Sequence, residues 1–259
     1  MKSDELHDLA PFVLNSIPKS GTHLLKQILL GIPGMQHHPD KGLMGHTHYQ
    51  PEQKIEGLKT LSTNEFINGH IFYSKEWEEL FKSLNMKHIF VLRDPRDVVV
   101  SYSYFIPTLK IHPLYNTFHQ EGFTHKDRIK FLIEGGYRTD YKYIDNPNVN
   151  DWYKSFSEWI GHEGVLSIRF EDIISSEAGR IQTINRIVDF LWEDKLSSHS
   201  KTNMVNKMIL NINPATSPTF RKGKIGGWED EFDEELKLLF KRFAGQLLID
   251  LNYEKDTNW

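Results

Sequence analysis

Three short segments carry residue types suited to gripping a phosphate-like anion. Pro18-Lys19-Ser20-Gly21-Thr22-His23 combines a lysine charge, two hydroxyl donors and a glycine that lets the backbone turn tightly. A helix beginning there would add unpaired amides and the positive end of its dipole, completing an anion cradle. The order differs from the common nucleotide loop G-x-x-x-x-G-K-[ST]. Here the lysine precedes the glycine, and no second glycine lies five residues upstream. A strand-turn-helix junction with an incidental lysine would look the same. The second segment is Leu92-Arg93-Asp94-Pro95-Arg96-Asp97-Val98-Val99-Val100-Ser101. Arg93 offers a planar fork of donors matched to phosphate oxygens. Ser101 lies about two helical turns further on, so both could reach one phosphate if that helix face lies over the strand end. Two Asp residues beside two Arg residues also fit a surface ion-pair cluster. The third segment, Arg221-Lys222-Gly223-Lys224-Ile225-Gly226-Gly227-Trp228, joins clustered cations to a flexible backbone that could fold over a phosphate. By itself it reads more readily as a solvated basic loop than as a phosphate site.

Such segments need a scaffold that presents them at strand ends. The apolar run 12–17 predicts a buried strand, and Thr22 to Leu30 the helix after it. Further strands are expected at 66–70, 88–93 and 165–170. Helices are expected from Pro95, from Ile181 to Leu191 and from Glu229 to Phe243, the last with an acidic-to-basic order that matches its dipole. This alternation predicts an α/β fold: a single domain over 1–259, with a P-loop-like parallel β-sheet flanked by helices on both faces. Ligands in such sheets bind outside the carboxyl ends of the strands, where the anion segments fall. Residues 105–150 are rich in aromatics, His and Gly with weak periodicity, and predict an irregular insert or lid.

Composition narrows the classes. Of 259 residues, 39% are hydrophobic and 25% charged, as in ordinary globular chains. A net charge of −4 provides no global field for nucleic acid. No run approaches the roughly 18 apolar residues of a membrane span. The acidic start, Met1 to Pro11, lacks the apolar core of a signal peptide, and there are no cysteines to form disulfides or thiolate metal sites. A cytoplasmic location is the expectation. His37, His38, His46 and His48 cluster, but no acidic or Cys ligand completes a metal set, so no metal is expected. Phe72, Tyr73, Tyr102, Tyr104 and Phe105 fit either an aromatic acceptor pocket or ordinary core packing.

Taken together and in order, Pro-Lys-Ser-Gly-Thr after the first strand, Arg-Asp-Pro-Arg-Asp-x-x-x-Ser mid-chain and Arg-Lys-Gly-x-x-Gly-x-Trp near the end resemble the cytosolic-type sulfotransferases. These use 3′-phosphoadenosine 5′-phosphosulfate (PAPS) as sulfuryl donor. The resemblance covers roughly 12–243. It implies that Lys19, Ser20, Gly21, Thr22 and His23 hold the 5′-phosphosulfate, and that Arg93, Ser101, Arg221, Lys222 and Gly223 hold the 3′-phosphate. Phe170, in Arg169-Phe170-Glu171-Asp172, stands where the family has an adenine-contacting Tyr. His70, in Asn68-Gly69-His70, stands at the general base, and Lys19 supports the leaving phosphate. The family often has Thr at His23, Trp at Leu24, Lys at Asn68 and Asp at Gly227. The implied reaction moves a sulfuryl group from PAPS to a hydroxyl or amine of a small-molecule acceptor and releases adenosine 3′,5′-bisphosphate (PAP). A P-loop kinase of small metabolites is the competing enzyme class. It would need a lysine after the glycine and an acidic metal ligand on a strand. A non-catalytic nucleotide-binding module is the other alternative, favoured by the departures at Leu24, Asn68 and Gly227.

Overall fold

Runs that are apolar on both sides, Phe12–Ser16 and Lys87–Leu92, form the middle of a parallel sheet, where both faces are covered. The computed structural model describes residues 9–44, 52–137, 145–193, 195–217 and 223–259. In chain order the elements are β1 (Phe12–Ser16), α1 (Thr22–Leu30), the short strands β2 (Gln36–His37) and β3 (Leu43–Met44), α2 (Glu52–Lys59), β4 (Glu65–His70), α3 (Lys75–Ser83) and β5 (Lys87–Leu92). There follow α4 (Pro95–Phe105), α5 (Tyr115–Phe118), α6 (His125–Glu134), β6 (Gly136–Tyr137), β7 (Asp145–Asn146) and α7 (Val149–Ser157). The remainder is β8 (Val165–Arg169), α8 (Phe170–Ile174), α9 (Glu177–Trp192), α10 (Ser198–Leu210) and α11 (Glu234–Asp250). The chain divides into two compact units, residues 1–92 with 156–223 and residues 93–155 with 224–259.

The first unit holds the sheet, in the order β2-β4-β1-β5-β8 with β3 also on β4, all parallel. Winding runs from β1 to one side, then crosses back to β5 and β8. Such a reversal opens a crevice at the carboxyl end of the central strand, here β1. Alternation sorts the side chains. Phe12, Leu14, Ile89 and Val91 share a core with Leu25 and Ile28 of α1, Ile184 and Val188 of α9 and Met208 of α10. On the opposite face His88 packs on Trp159 and on Phe81 of α3. Beyond the end of β4, buried Asn15 replaces the missing ladder: its amide donates to the Ile71 carbonyl at 3.0 Å, and its oxygen accepts from the Ile71 amide at 2.8 Å.

In the second unit α6 packs on α4 and on α11. The described residues between 105 and 150 are more regular than their weak periodicity predicts. Thr124 and Asp127 cap the start of α6 reciprocally, and Ile129, Leu132 and Ile133 are buried. The late helix also differs. It starts after Asp233, whose carboxylate accepts from the Leu236 amide, and runs to Asp250. Residues 227–230 form a separate 3-10 turn, because glycine pairs disfavour continuous helix.

Candidate active site

The β1–α1 turn is built by backbone conformations that side chains usually avoid. Lys19 has φ 70° and Gly21 φ 99°, and the Ser20 amide donates to the Ile17 carbonyl at 3.1 Å. Gly21 is doubly required, since a Cβ there would lie 2.6 Å from Cδ2 of Phe170. This contact places Phe170, the first residue of α8, against the turn. No side chain caps α1, and no acidic residue sits in its first turn. Ser20 is fully buried, and its hydroxyl has no hydrogen-bond partner. A buried unsatisfied donor beside uncapped helix amides fits an anionic ligand, so these residues suit the phosphosulfate end of PAPS. Thr22 is engaged inside the protein, its Oγ1 2.6 Å from the Ser16 hydroxyl. Burial first, and then the charges of Lys26 and Lys19, push the His23 pKa below its usual value.

His70 ends β4, next to β1. Its Nδ1 lies 2.8 Å from the Ser16 carbonyl oxygen and 3.3 Å from the Ser16 hydroxyl. A carbonyl can only accept, so Nδ1 carries the ring proton and Nε2 is the basic nitrogen. That tautomer is the one a proton acceptor needs. Ser16 was not singled out by the sequence, and an N-terminal neighbour of the Pro-Lys-Ser-Gly-Thr run with a polar side chain was the available signal.

Arg93 and Ser101 belong to the second unit, Arg93 just past β5 and Ser101 within α4. The arginines and aspartates around them are buried, which corrects the alternative of a surface cluster. Arg93 donates to the Lys224 carbonyl at 2.8 Å and lies 3.3 Å from the Asp97 carboxylate. Asp97 accepts from the amides of Gly226 at 3.0 Å and Trp228 at 2.9 Å, binding the second segment to the third. Burial nevertheless pushes the Asp97 pKa up. Arg96 pairs with Asp94 and Glu254 and stacks on Trp228 and Trp259. Gly223, in the first unit, is exposed with φ 58°. Arg221 and Lys222 lie outside the described residues, as do His46 and His48. Of the aromatics, Phe72 meets Phe156 and Tyr73 meets Trp159 in the first unit, whereas Tyr102 meets Trp152 and Tyr104 meets His125 in the second. Among the described residues no three His, Asp or Glu side chains converge as a metal site requires.

Comparison with known proteins adds four results. The sequence model of the Sulfotransferase domain matches residues 10–252. Mouse Sulfotransferase 1E1 is 24% identical over 256 residues, covering 92% of this chain and 83% of its own. Mouse sulfotransferase SULT7A1, solved with PAP, superposes with a TM-score of 0.64 at 20% identity, covering 92% of this chain and 84% of that one. Retinol dehydratase, solved with androsterone and PAP, gives 0.59 at 18% identity, with 93% and 81% covered.

Proposed function

The chain belongs to the sulfotransferase-domain family and is a PAPS-dependent sulfotransferase; from that premise we propose that it sulfates a hydroxyl or amine of a small-molecule acceptor with His70 as general base. The observation that carries this reading is the Nδ1 bond of His70 to the Ser16 carbonyl, which supports Nε2 as the proton acceptor. PAPS supplies the sulfuryl group and a phosphate leaving group. The Ser20 hydroxyl and the first amides of α1 bind and orient that end of the donor. His70 Nε2 removes the acceptor proton as the new bond from sulfur to the acceptor oxygen or nitrogen forms. Lys19 holds the negative charge left on the 5′-phosphate oxygen as the old S–O bond breaks. Arg93 and Ser101, with Arg221, Lys222 and Gly223, hold the 3′-phosphate, and Phe170 lies against the adenine. A structural neighbour solved with androsterone supports a small-molecule acceptor. We assign the protein to the cytoplasm; no described helix is long and apolar enough to cross a membrane.

The test is incubation with labelled PAPS and a library of phenols, alcohols and amines, alongside nucleotide titrations. Label should appear in an acceptor. Arg93→Ala should weaken PAP binding at least about tenfold more than AMP binding, because a charge-assisted contact to one phosphate is lost. Equal losses for both nucleotides would refute the 3′-phosphate assignment. Turnover that needs ATP and magnesium, without sulfate transfer, would restore the kinase reading.

A further inference from the structure

Ser16 is the last residue of β1, is fully buried, and touches both His70 and the first residue of α1. Its Oγ lies 2.6 Å from Oγ1 of Thr22 and 3.3 Å from Nδ1 of His70, and its carbonyl oxygen lies 2.8 Å from the same nitrogen. The directions of these bonds follow by elimination. A carbonyl only accepts, so the Nδ1 hydrogen points at Ser16, where the carbonyl and the hydroxyl oxygen share it. A protonated Nδ1 cannot accept the Ser16 hydrogen. The acceptor left for that hydrogen among the described residues is Oγ1 of Thr22, at a distance normal for a strong hydroxyl–hydroxyl bond. Thr22 therefore accepts from the interior, and its own hydroxyl hydrogen has no acceptor among the described residues. Thr22 is half-buried and opens α1, whose first amides no side chain caps. Its hydrogen is directed to an oxygen that comes from outside the chain.

We propose that Ser16 is a positioning residue at the centre of a hydrogen-bond relay, through which a bound donor strengthens His70 as a base. The relay runs from His70 Nδ1–H to Ser16 Oγ, from the Ser16 hydroxyl to Thr22 Oγ1, and from the Thr22 hydroxyl to a 5′-phosphate oxygen of the donor. A phosphate oxygen pulls on the Thr22 hydrogen and makes Oγ1 a better acceptor for Ser16. Ser16 Oγ in turn becomes a better acceptor for the Nδ1 hydrogen, since bonds in a chain polarise one another. Electron density moved onto the imidazole raises the basicity of Nε2. No proton changes owner along the relay; the proton that moves is the acceptor's, and it goes to Nε2. The base is therefore strongest while the donor is in place. The inference rests on the sulfotransferase reading with His70 as base, and extends it to the link between donor binding and proton removal.

The experiment follows the Nδ1–H proton of His70 by NMR, identified by its absence in His70→Ala, and adds kcat for an acceptor found in the labelled screen. PAP carries the 5′-phosphate, and adenosine 3′-phosphate lacks it. Saturating PAP should move the wild-type signal downfield, and adenosine 3′-phosphate should leave it nearly in place. Ser16→Ala keeps the carbonyl, and with it the tautomer, but breaks the relay. Its PAP response should shrink to the part carried through space by phosphate charge, and kcat should fall about fivefold while PAP affinity changes less than about twofold. Thr22→Val tests the same relay without opening the interior. It should shrink the response equally, with a loss of PAP affinity added. Thr22→Ser keeps the hydroxyl and should restore the response, with kcat within about twofold of wild type. Equal PAP responses in wild type, Ser16→Ala and Thr22→Val overturn the relay, even where the wild type transfers sulfate. A response to adenosine 3′-phosphate as large as that to PAP overturns the part given to the 5′-phosphate. The expected responses together with near-wild-type turnover in His70→Ala overturn His70 as base and leave the relay standing. A wild type that binds no PAP overturns both.

Discussion

At the residue scale, His70 and Lys19 separate proton removal from donor binding. The His70 proton acceptor acts on the acceptor substrate, which gains from it only as transfer proceeds. His70→Ala should therefore lower kcat by about 10²–10⁴-fold and leave PAP affinity near wild type. An imidazolium cannot accept a proton, so the wild-type rate falls on the acidic side and the residual rate of the variant does not share that limb. Lys19→Ala should reduce both nucleotide affinity and turnover, because its charge meets the donor before and during transfer. Paired PAP titrations and pH–rate profiles read both effects. Turnover of His70→Ala near the wild-type value would move the base elsewhere, and His112, His119 and His125 would be the next to test. All three are engaged in the second unit, His112 with the Tyr102 hydroxyl at 3.0 Å, His119 with the Tyr115 carbonyl at 2.8 Å and His125 with the Ser103 hydroxyl at 2.9 Å.

At the element scale, Asp97 fastens the start of α4 to the late loop. Asp97 meets the Arg93 guanidinium and two amides of the 224–228 segment. Asp97→Ala would leave Arg93 without its counter-charge and two amides without their acceptor. The expected loss is about 3–5 kcal/mol of stability, seen as a lower midpoint in chemical denaturation. PAP affinity should fall with it, since the same carboxylate restrains Arg93. A midpoint within the range of an ordinary surface substitution would show that Asp97 is not the fastening. The burial that lifts the Asp97 pKa outweighs the opposing pull of Arg93 and the two amides, so the loss in Asp97→Ala comes from stranding those partners in the interior. The β1–α1 turn is fastened differently, by shape: Gly21 gives Phe170 room that no other residue would leave.

At the scale of the whole molecule, acid stability should be governed in part by His88. It is 2% exposed, its two ring nitrogens have no partner, and burial lowers its pKa from 6.5 to about 3. Below the unfolded value the unfolded chain takes a proton that the native chain refuses. The stability from this group is therefore whole above about pH 6.5 and drains away as the pH falls towards about 3. Between pH 7 and pH 5 the loss from His88 should be about 2 kcal/mol. His88→Phe should remove that part of the acid sensitivity. It should also raise stability at pH 7 by about 1 kcal/mol, since an unsatisfied ring nitrogen is replaced by carbon among Phe81, Phe90 and Trp159. Denaturation at the two pH values checks it. Equal losses in wild type and variant would mean the imidazole does not titrate on unfolding as stated.

What the sequence by itself determined is local. The helix expected from Thr22 to Leu30 is the helix that forms, and the strands expected at 12–17, 66–70, 88–93 and 165–170 differ from those observed by one residue at most at either end. Apolar runs and turn residues act on their near neighbours, so their consequences can be read along the chain. The family was legible for the same reason, from three short segments that each stand contiguous in the chain. The tertiary structure decided the partners. Ser16 meets His70 across 54 positions, His37 meets Asn68 across 31, and Asp97 meets Gly226 across 129. These pairs follow from strand order, register and the fold of the late loop, and no local periodicity encodes which strand lies beside which. The start of α11 after Asp233 and the regularity of α6 were decided by capping carboxylates, whose short-range bonds outweighed the charge gradient and weak periodicity of those segments. Burial, too, is a property of the assembled chain: a charged cluster at 93–97 looks like surface in sequence and becomes interior once α4 and the 224–228 segment close on it.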